Sequence, residues 1–181
     1  MIIKISTYII LLFFIIFSSS ALILHHYGIF LNVSASIPIG FYRCVNQPLK
    51  RNLYVSLCPP DTHIFKVAKM RGYIGTGFCK GGYGYIFKKV KGLGGDNISI
   101  NKSGVFVNGI KIKASIPLKL EGDAKLSFVK FSNYKLKPKE LLLMGENDPI
   151  SFDSRYFGVI DKEQVISVIY PIYLLSDFKV N

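Results

Sequence analysis

The chain has 181 residues, with 23 Lys and Arg against 11 Asp and Glu, and half of its residues are apolar. The length suits one ordinary domain and excludes two full catalytic ones, and the apolar content excludes a disordered chain. Three cysteines exclude a disulfide-dense mini-scaffold, while the net charge of +12 suits an anionic partner, nucleic acid or lipid headgroups.

The first predicted element is a membrane helix. Residues 5–24 carry no charge, and Tyr8 to Phe17 is an unbroken apolar run. Twenty helical residues rise about 30 Å, enough to cross a hydrocarbon core. Lys4 lies on the N-terminal side, so the positive-inside tendency leaves residues 1–4 in the cytoplasm and 25–181 outside it. A cleaved signal peptide is the rival reading, because Ser18-Ser19-Ser20-Ala21 supplies small residues after an apolar core. Leu22, Ile23 and Leu24 extend the apolar stretch and favour a retained anchor. Either way the domain is exported. One pair among Cys44, Cys58 and Cys79 could close a disulfide there, and the sequence does not say which.

The exported part reads mainly as strands. Phe41–Val45, Leu53–Cys58 and Tyr85–Val90 are short runs of β-formers. A helix is expected over 62–71, capped by Asp61, with Ile64, Val67, Ala68 and Arg71 on one face and Gly72 ending it. Residues 97–113 read as a meander whose Asn108-Gly109 pair is a strong hairpin signal. The basic stretch 119–139 fits no element. Leu141–Met144 and Val165–Leu175 complete the strands, and Pro171 within the last suggests an edge or a bend. The sum is a β-dominated sandwich or barrel.

Few residues could carry chemistry. His25 and His26 adjoin the membrane end and His63 stands alone, so no metal-ligand spacing forms. The glycines of Gly72-Tyr73-Ile74-Gly75-Thr76-Gly77 and Gly81-Gly82-Tyr83-Gly84 lack the Gly-Lys-Ser/Thr ending of a phosphate loop. A serine in a tight Pro/Gly segment and a lysine at the end of an apolar run form one possible nucleophile–base pair. The serine needs a base, and the lysine serves only if burial lowers its pKa from about 10.4.

Three ordered segments behind the anchor turn that pair into a resemblance. They are Asn32 to Tyr42, Phe87 to Asp96 and Met144 to Gly158. The third is similar, without a gap, to the Met-Gly-Asp-Asn…Ser-x-Asp-Ser-Arg-x-Trp-Gly box of the type I signal peptidases, with Glu146 for Asp and Phe157 for Trp. The second resembles their Lys-Arg-x-x-Gly-Leu-Pro-Gly-Asp box, with Lys89 in the Arg position and Gly94 for Pro. Leu49 to Pro60 resembles the intervening strand box. The first segment, Asn-x-Ser-x-Ser-x-Pro-x-Gly-x-Tyr, and the stretch Arg71 to Cys79 look like the conjugative-transfer, TraF-like branch.

The resemblance implies a mainly β, signal-peptidase-like catalytic domain on one N-terminal transmembrane helix. It implies a serine endopeptidase with Ser36 as nucleophile and Lys88 as general base, and with no metal or cofactor. The Ser36 N–H and the Ser34 hydroxyl would form the oxyanion hole, and Ser151 would orient the lysine. Asp153 and Arg155 would be a structural ion pair, and Gly145, Gly95 and Asp96 would shape turns. It places the protein in a bacterial inner membrane with its catalytic domain in the periplasm. The implied partners are the lipid bilayer, secretion-system components and a pilin or other preprotein substrate, cut after small residues. The product could be linear or, by aminolysis, cyclic. Alternatives are a general signal peptidase for many preproteins and a non-catalytic scaffold subunit. No nucleic-acid recognition motif accompanies the basic charge.

Overall fold

The structure is a computed structural model and describes residues 2–118, 127–146 and 148–175. It begins with helix α1, Ile2–His26, whose span Thr7–Leu24 has a mean hydropathy of 2.4 and is not buried by the rest of the chain. By length and composition this helix can cross a membrane: its 25 residues rise about 37 Å. Gly28, at φ +65°, then turns the chain into the first strand.

The remainder is mainly β. Seven strands, all antiparallel to their neighbours, form the larger sheet: β1 (Ile29–Asn32), β2 (Gly40–Val45), β12 (Val165–Leu174), β3 (Tyr54–Leu57), β5 (Ile86–Gly92), β10 (Glu140–Met144) and β11 (Ile160–Asp161), in that spatial order. A four-stranded sheet is ordered β8 (Ile110–Lys111), β7 (Gly104–Val107), β6 (Asn97–Asn101) and β9 (Phe131–Lys135). The β7–β8 hairpin turns through Asn108 and Gly109, both at positive φ (50° and 80°), as a primed two-residue turn requires.

Strand alternation divides the core. On β10, Leu142 packs with Ile98, Ile100 and Val105 of the small sheet. Leu141 and Leu143 point the other way, into a cluster with Val55, Leu57, Ile86 and Val90. Helix α2, His63–Met70, buries Phe65, Val67 and Ala68 in that second cluster. The short strand β4, Thr76–Cys79, follows it.

The disulfide joins Cys58 to Cys79, leaving Cys44 as a half-buried thiol. It closes 21 residues around α2, a loop size for which chain entropy gives roughly 3 kcal/mol.

Several expectations need correction. Asp61 does not cap α2: Thr62 holds that position without a side-chain cap bond, and Asp61 accepts from the Tyr83 hydroxyl at 3.0 Å. The buried residues of α2 are Phe65, Val67 and Ala68, whereas Ile64 and Arg71 of the expected face are half-buried and Arg71 is the C-cap. Pro171 lies where the expectation allowed: β12 pairs with β3 only over Val165–Ile169, so at Pro171 it is paired with β2 alone, and the bend is present as a register shift beside it. Strands β1, β4 and β11 were not expected. Within 119–139, β9 occupies 131–135, and residues 119–126 lie outside the described residues.

Candidate active site

Strand β5 decides which lysine goes inside. Its burial alternates residue by residue, so Ile86, Lys88 and Val90 face the core while Phe87, Lys89 and Lys91 are only partly covered. Lys88 lies opposite Val55 of β3 and is 3% exposed. Its Nζ donates to Ser36 Oγ at 2.7 Å. Burial lowers the Lys88 pKa to about 8; the Asp153 and Asp148 carboxylates oppose that shift and the Arg155 guanidinium adds to it. Lys89 points to the other face, where it pairs with Glu146 and sits 4.8 Å over the Tyr54 ring.

Ser36 itself belongs to the connection between β1 and β2, and this connection is held by its carbonyls. Asn32 Nδ2 donates to the carbonyls of Ser34, Ile37 and Pro38. The Glu146 N–H donates to the Ser36 carbonyl at 2.7 Å, and the Tyr42 hydroxyl donates to that of Pro38 at 2.7 Å. The Leu175 N–H holds the Ile39 carbonyl. Ser36 is thereby buried with its Oγ aimed at Lys88. The Ser36 N–H lies 3.2 Å from Ser34 Oγ, to which it donates. The two expected oxyanion donors are therefore neighbours, hydrogen-bonded to each other.

The third segment supports the first two from below. Ser151 was expected to orient the lysine. Among the described residues its hydroxyl instead exchanges a hydrogen bond with Ser36 Oγ at 3.2 Å. It contacts the partner of the lysine rather than the lysine. Asp153 and Arg155 form a fully buried bidentate pair, with Nε and one terminal nitrogen each 2.8 Å from a carboxylate oxygen. Arg155 also donates to the carbonyls of Asp148, Pro149 and Ser151, so it fastens the loop carrying Ser151. Asp153 in turn accepts the N–H of Gly145 at 2.9 Å.

Gly145 does not shape a turn as expected. A Cβ there would lie 2.5 Å from Ser151 Oγ, so glycine lets β10 approach the serine. Gly95, at φ +96°, and Asp96 do sit in a turn, between β5 and β6. Asp96 accepts from Arg51, Asn108 and the Leu93 N–H, and none of its hydrogen bonds reaches Ser36, Lys88 or Ser151.

A cleft of about 210 Å³ opens onto Ser36 and Lys88, walled by Val33, Ser34, Tyr73, Ile74 and Tyr85. Larger clefts of about 410 to 520 Å³ lie elsewhere and include neither residue. The smaller cleft is the functional candidate because convergent reactive groups, not volume, define a site for bond cleavage.

Comparison with known proteins decides the family. The sequence profile of signal peptidase, peptidase S26, matches residues 2–174. The chain belongs to the signal peptidase S26 family. Within it, the chain is 40% identical over 146 residues to plasmid transfer protein TraF of Escherichia coli, covering 80% of this chain and 82% of that protein. It is 31% identical over 148 residues to conjugal transfer protein TraF of Agrobacterium tumefaciens, covering 81% and 82%. Signal peptidase IB of Staphylococcus aureus is 30% identical over 107 residues, or 52% of this chain and 56% of that one. The crystal structure of a signal peptidase I from Enterococcus faecalis is 17% identical with a TM-score of 0.38, covering 67% of this chain and 97% of that chain. Membership in this family supports a peptidase, and the TraF relatives are themselves plasmid or conjugal transfer proteins.

Sequence reasoning assigned no role to Asn32, Tyr42 or the walls supplied by Tyr73 and Ile74. Asn32 had a local signal: an asparagine two residues before a serine can form an Asx turn.

Proposed function

We propose that this protein is a membrane-anchored serine endopeptidase that matures a membrane-targeted precursor, a pilin of a conjugative system. The observation that carries this reading is the buried 2.7 Å contact between Lys88 Nζ and Ser36 Oγ. A lysine moved toward pH 8 by burial has a neutral fraction near pH 7 and can take the serine proton.

Ser36 Oγ attacks the scissile carbonyl carbon as Lys88 accepts its proton. The resulting oxyanion takes the Ser36 N–H and the Ser34 hydroxyl, which turn from each other to the substrate. Collapse breaks the C–N bond, and Lys88 returns the proton to the leaving amine. Water, or an amine of the substrate, then attacks the Ser36 ester with Lys88 as base again. Hydrolysis gives a linear product and aminolysis a joined one. The small cleft suits small side chains before the scissile bond.

Exposed Val33, Tyr173, Leu174 and Leu175 flank the serine connection, which begins shortly after α1. They support a site resting on lipid, on the periplasmic side of an inner membrane, where a tethered precursor is presented at high effective concentration.

The test is processing of a co-encoded pilin precursor in membranes by the wild type, Ser36→Ala and Lys88→Ala at equal protein levels. Cleavage by the wild type alone is expected. Equal processing by the variants contradicts the reading, and processing of many unrelated preproteins would favour a general signal peptidase.

Two further results are expected. Cleavage of a peptide substrate should rise with pH through about 8 and then level, because only neutral Lys88 is a base. A rate that is flat down to pH 6 contradicts Lys88 as the base. Gly145→Ala should push Ser151 from Ser36 Oγ and lower kcat by on the order of 100-fold, the usual effect of about 1 Å of misplacement. Steady-state kinetics beside a thermal melt separates this from unfolding.

A further inference from the structure

A buried side chain with every polar atom committed to one loop marks the loop as fixed for a reason. Asn32 is 1% exposed and ends β1. Its Oδ1 accepts the Ser34 N–H at 3.0 Å, and its Nδ2 donates to the Ser34 carbonyl at 2.9 Å. One carboxamide thus holds the peptide groups on both sides of the Ser34 Cα. The same Nδ2 lies 3.1 Å from the carbonyls of Ile37 and Pro38, beyond the serine. Residues 34 and 37–38 are therefore tied to a common anchor, and Ser36 lies between them.

Ser34 is exposed and lines the cleft. That hydroxyl nevertheless sits 3.2 Å from the Ser36 N–H. By contrast, the Ser36–Lys88 contact has independent support: Lys88 is fixed by β5, Ser36 Oγ also meets Ser151, and the Ser36 carbonyl is held by Glu146.

We propose that Asn32 is the positioning residue of the oxyanion hole, holding Ser34 so that its hydroxyl and the Ser36 N–H converge on one point. This rests on the Ser36–Lys88 peptidase reading. Asn32 touches neither Ser36 Oγ nor Lys88. Its bonds to both peptide groups of Ser34 act on the step that develops negative charge on the substrate oxygen, while its contacts with the Ile37 and Pro38 carbonyls help hold the connection that carries Ser36. A preorganised donor of this kind is typically worth about 10²–10³ in kcat.

The experiment is a double-mutant cycle on the full-length protein in detergent, with an internally quenched peptide carrying Ala-x-Ala before the scissile bond. Asn32→Ala and Ser34→Ala should each lower kcat by about 10²-fold with little change in KM. In the Ser34→Ala background, Asn32→Ala should cost less than about fivefold, because the group it positions has gone. Asn32→Ser retains an acceptor for the Ser34 N–H but loses the amide donors, and should fall between wild type and Asn32→Ala. It also serves if Asn32→Ala does not fold. Fully additive losses, or losses that track the thermal midpoint alone, overturn the proposal and leave Asn32 as a stability residue. A wild type no faster than Ser36→Ala overturns the peptidase reading itself, and with it the role of Asn32.

Discussion

Replacing Lys88 with methionine is expected to give a more stable protein that no longer cleaves. The folded-state pKa of Lys88 is about 8 against an ordinary value of 10.5, so the unfolded chain binds more protons between those values. Stability therefore rises with pH across that window, and below pH 8 the buried charge carries its full penalty. A shift from 10.5 to about 8 corresponds to roughly 3 kcal/mol. Losing the hydrogen bond to Ser36 returns about 1 kcal/mol of that. The net gain of roughly 2 kcal/mol below pH 8 should raise Tm by about 4–8 °C and fade toward pH 10. Activity should fall in the opposite sense, by on the order of 10⁴–10⁶ in kcat, as for loss of a group that acts as a unit with its nucleophile. Thermal melts at pH 6 and pH 10, run beside peptide cleavage, check both halves. A less stable Lys88→Met at pH 6 contradicts the burial argument.

Arg155→Met should be the most destabilising change near the site. The guanidinium is wholly buried, pairs twice with Asp153 and serves the carbonyls of Asp148, Pro149 and Ser151. Removing it leaves the Asp153 carboxylate buried with, among the described residues, the backbone N–H groups of Gly145 and residue 155 as its donors. Breaking one half of such a pair costs about 3–5 kcal/mol. Arg155→Lys should not rescue it, because an ammonium cannot reproduce the planar fork. The double variant with Asp153→Asn should recover part of the loss, since no unpaired charge remains. Denaturant midpoints of the three variants test this, and a neutral Arg155→Met contradicts it.

These two expectations show which parts of the site were legible from residues alone. Runs of β-formers located the strands that carry the site, and Asn108-Gly109 located a turn, because both signals are local. Lys88 was recognisable as a lysine at the end of an apolar run, and its burial follows from the period-two alternation of β5. The segment resemblance picked out Ser36, Lys88 and Ser151. Their contacts depend on pairings between strands far apart in the chain, such as Val55 with Lys88 and Met144 with Lys89. Periodicity does not encode those pairings. The disulfide illustrates the same limit: three cysteines allow three pairs, and only the approach of β4 to the end of β3 selects Cys58–Cys79. Pro171 was legible because a proline removes one donor: it lies past the last β3 pairing of β12, beside a register shift on the β2 side. Gly145 misled because its reason is a neighbour, Ser151, rather than its own backbone angle. Beyond its local Asx turn, the contacts of Asn32 were hidden because the partners are the Ile37 and Pro38 carbonyls, and every sequence supplies carbonyls.

The central claim is that a covalent intermediate forms on Ser36. Acid quenching during turnover of the peptide substrate, followed by intact mass and peptide mapping, measures it directly. The account predicts an acyl adduct on Ser36 in the wild type that is absent from Ser36→Ala and from Lys88→Met. Cleavage by the wild type with the adduct on another residue, or undiminished cleavage by Ser36→Ala, would contradict it.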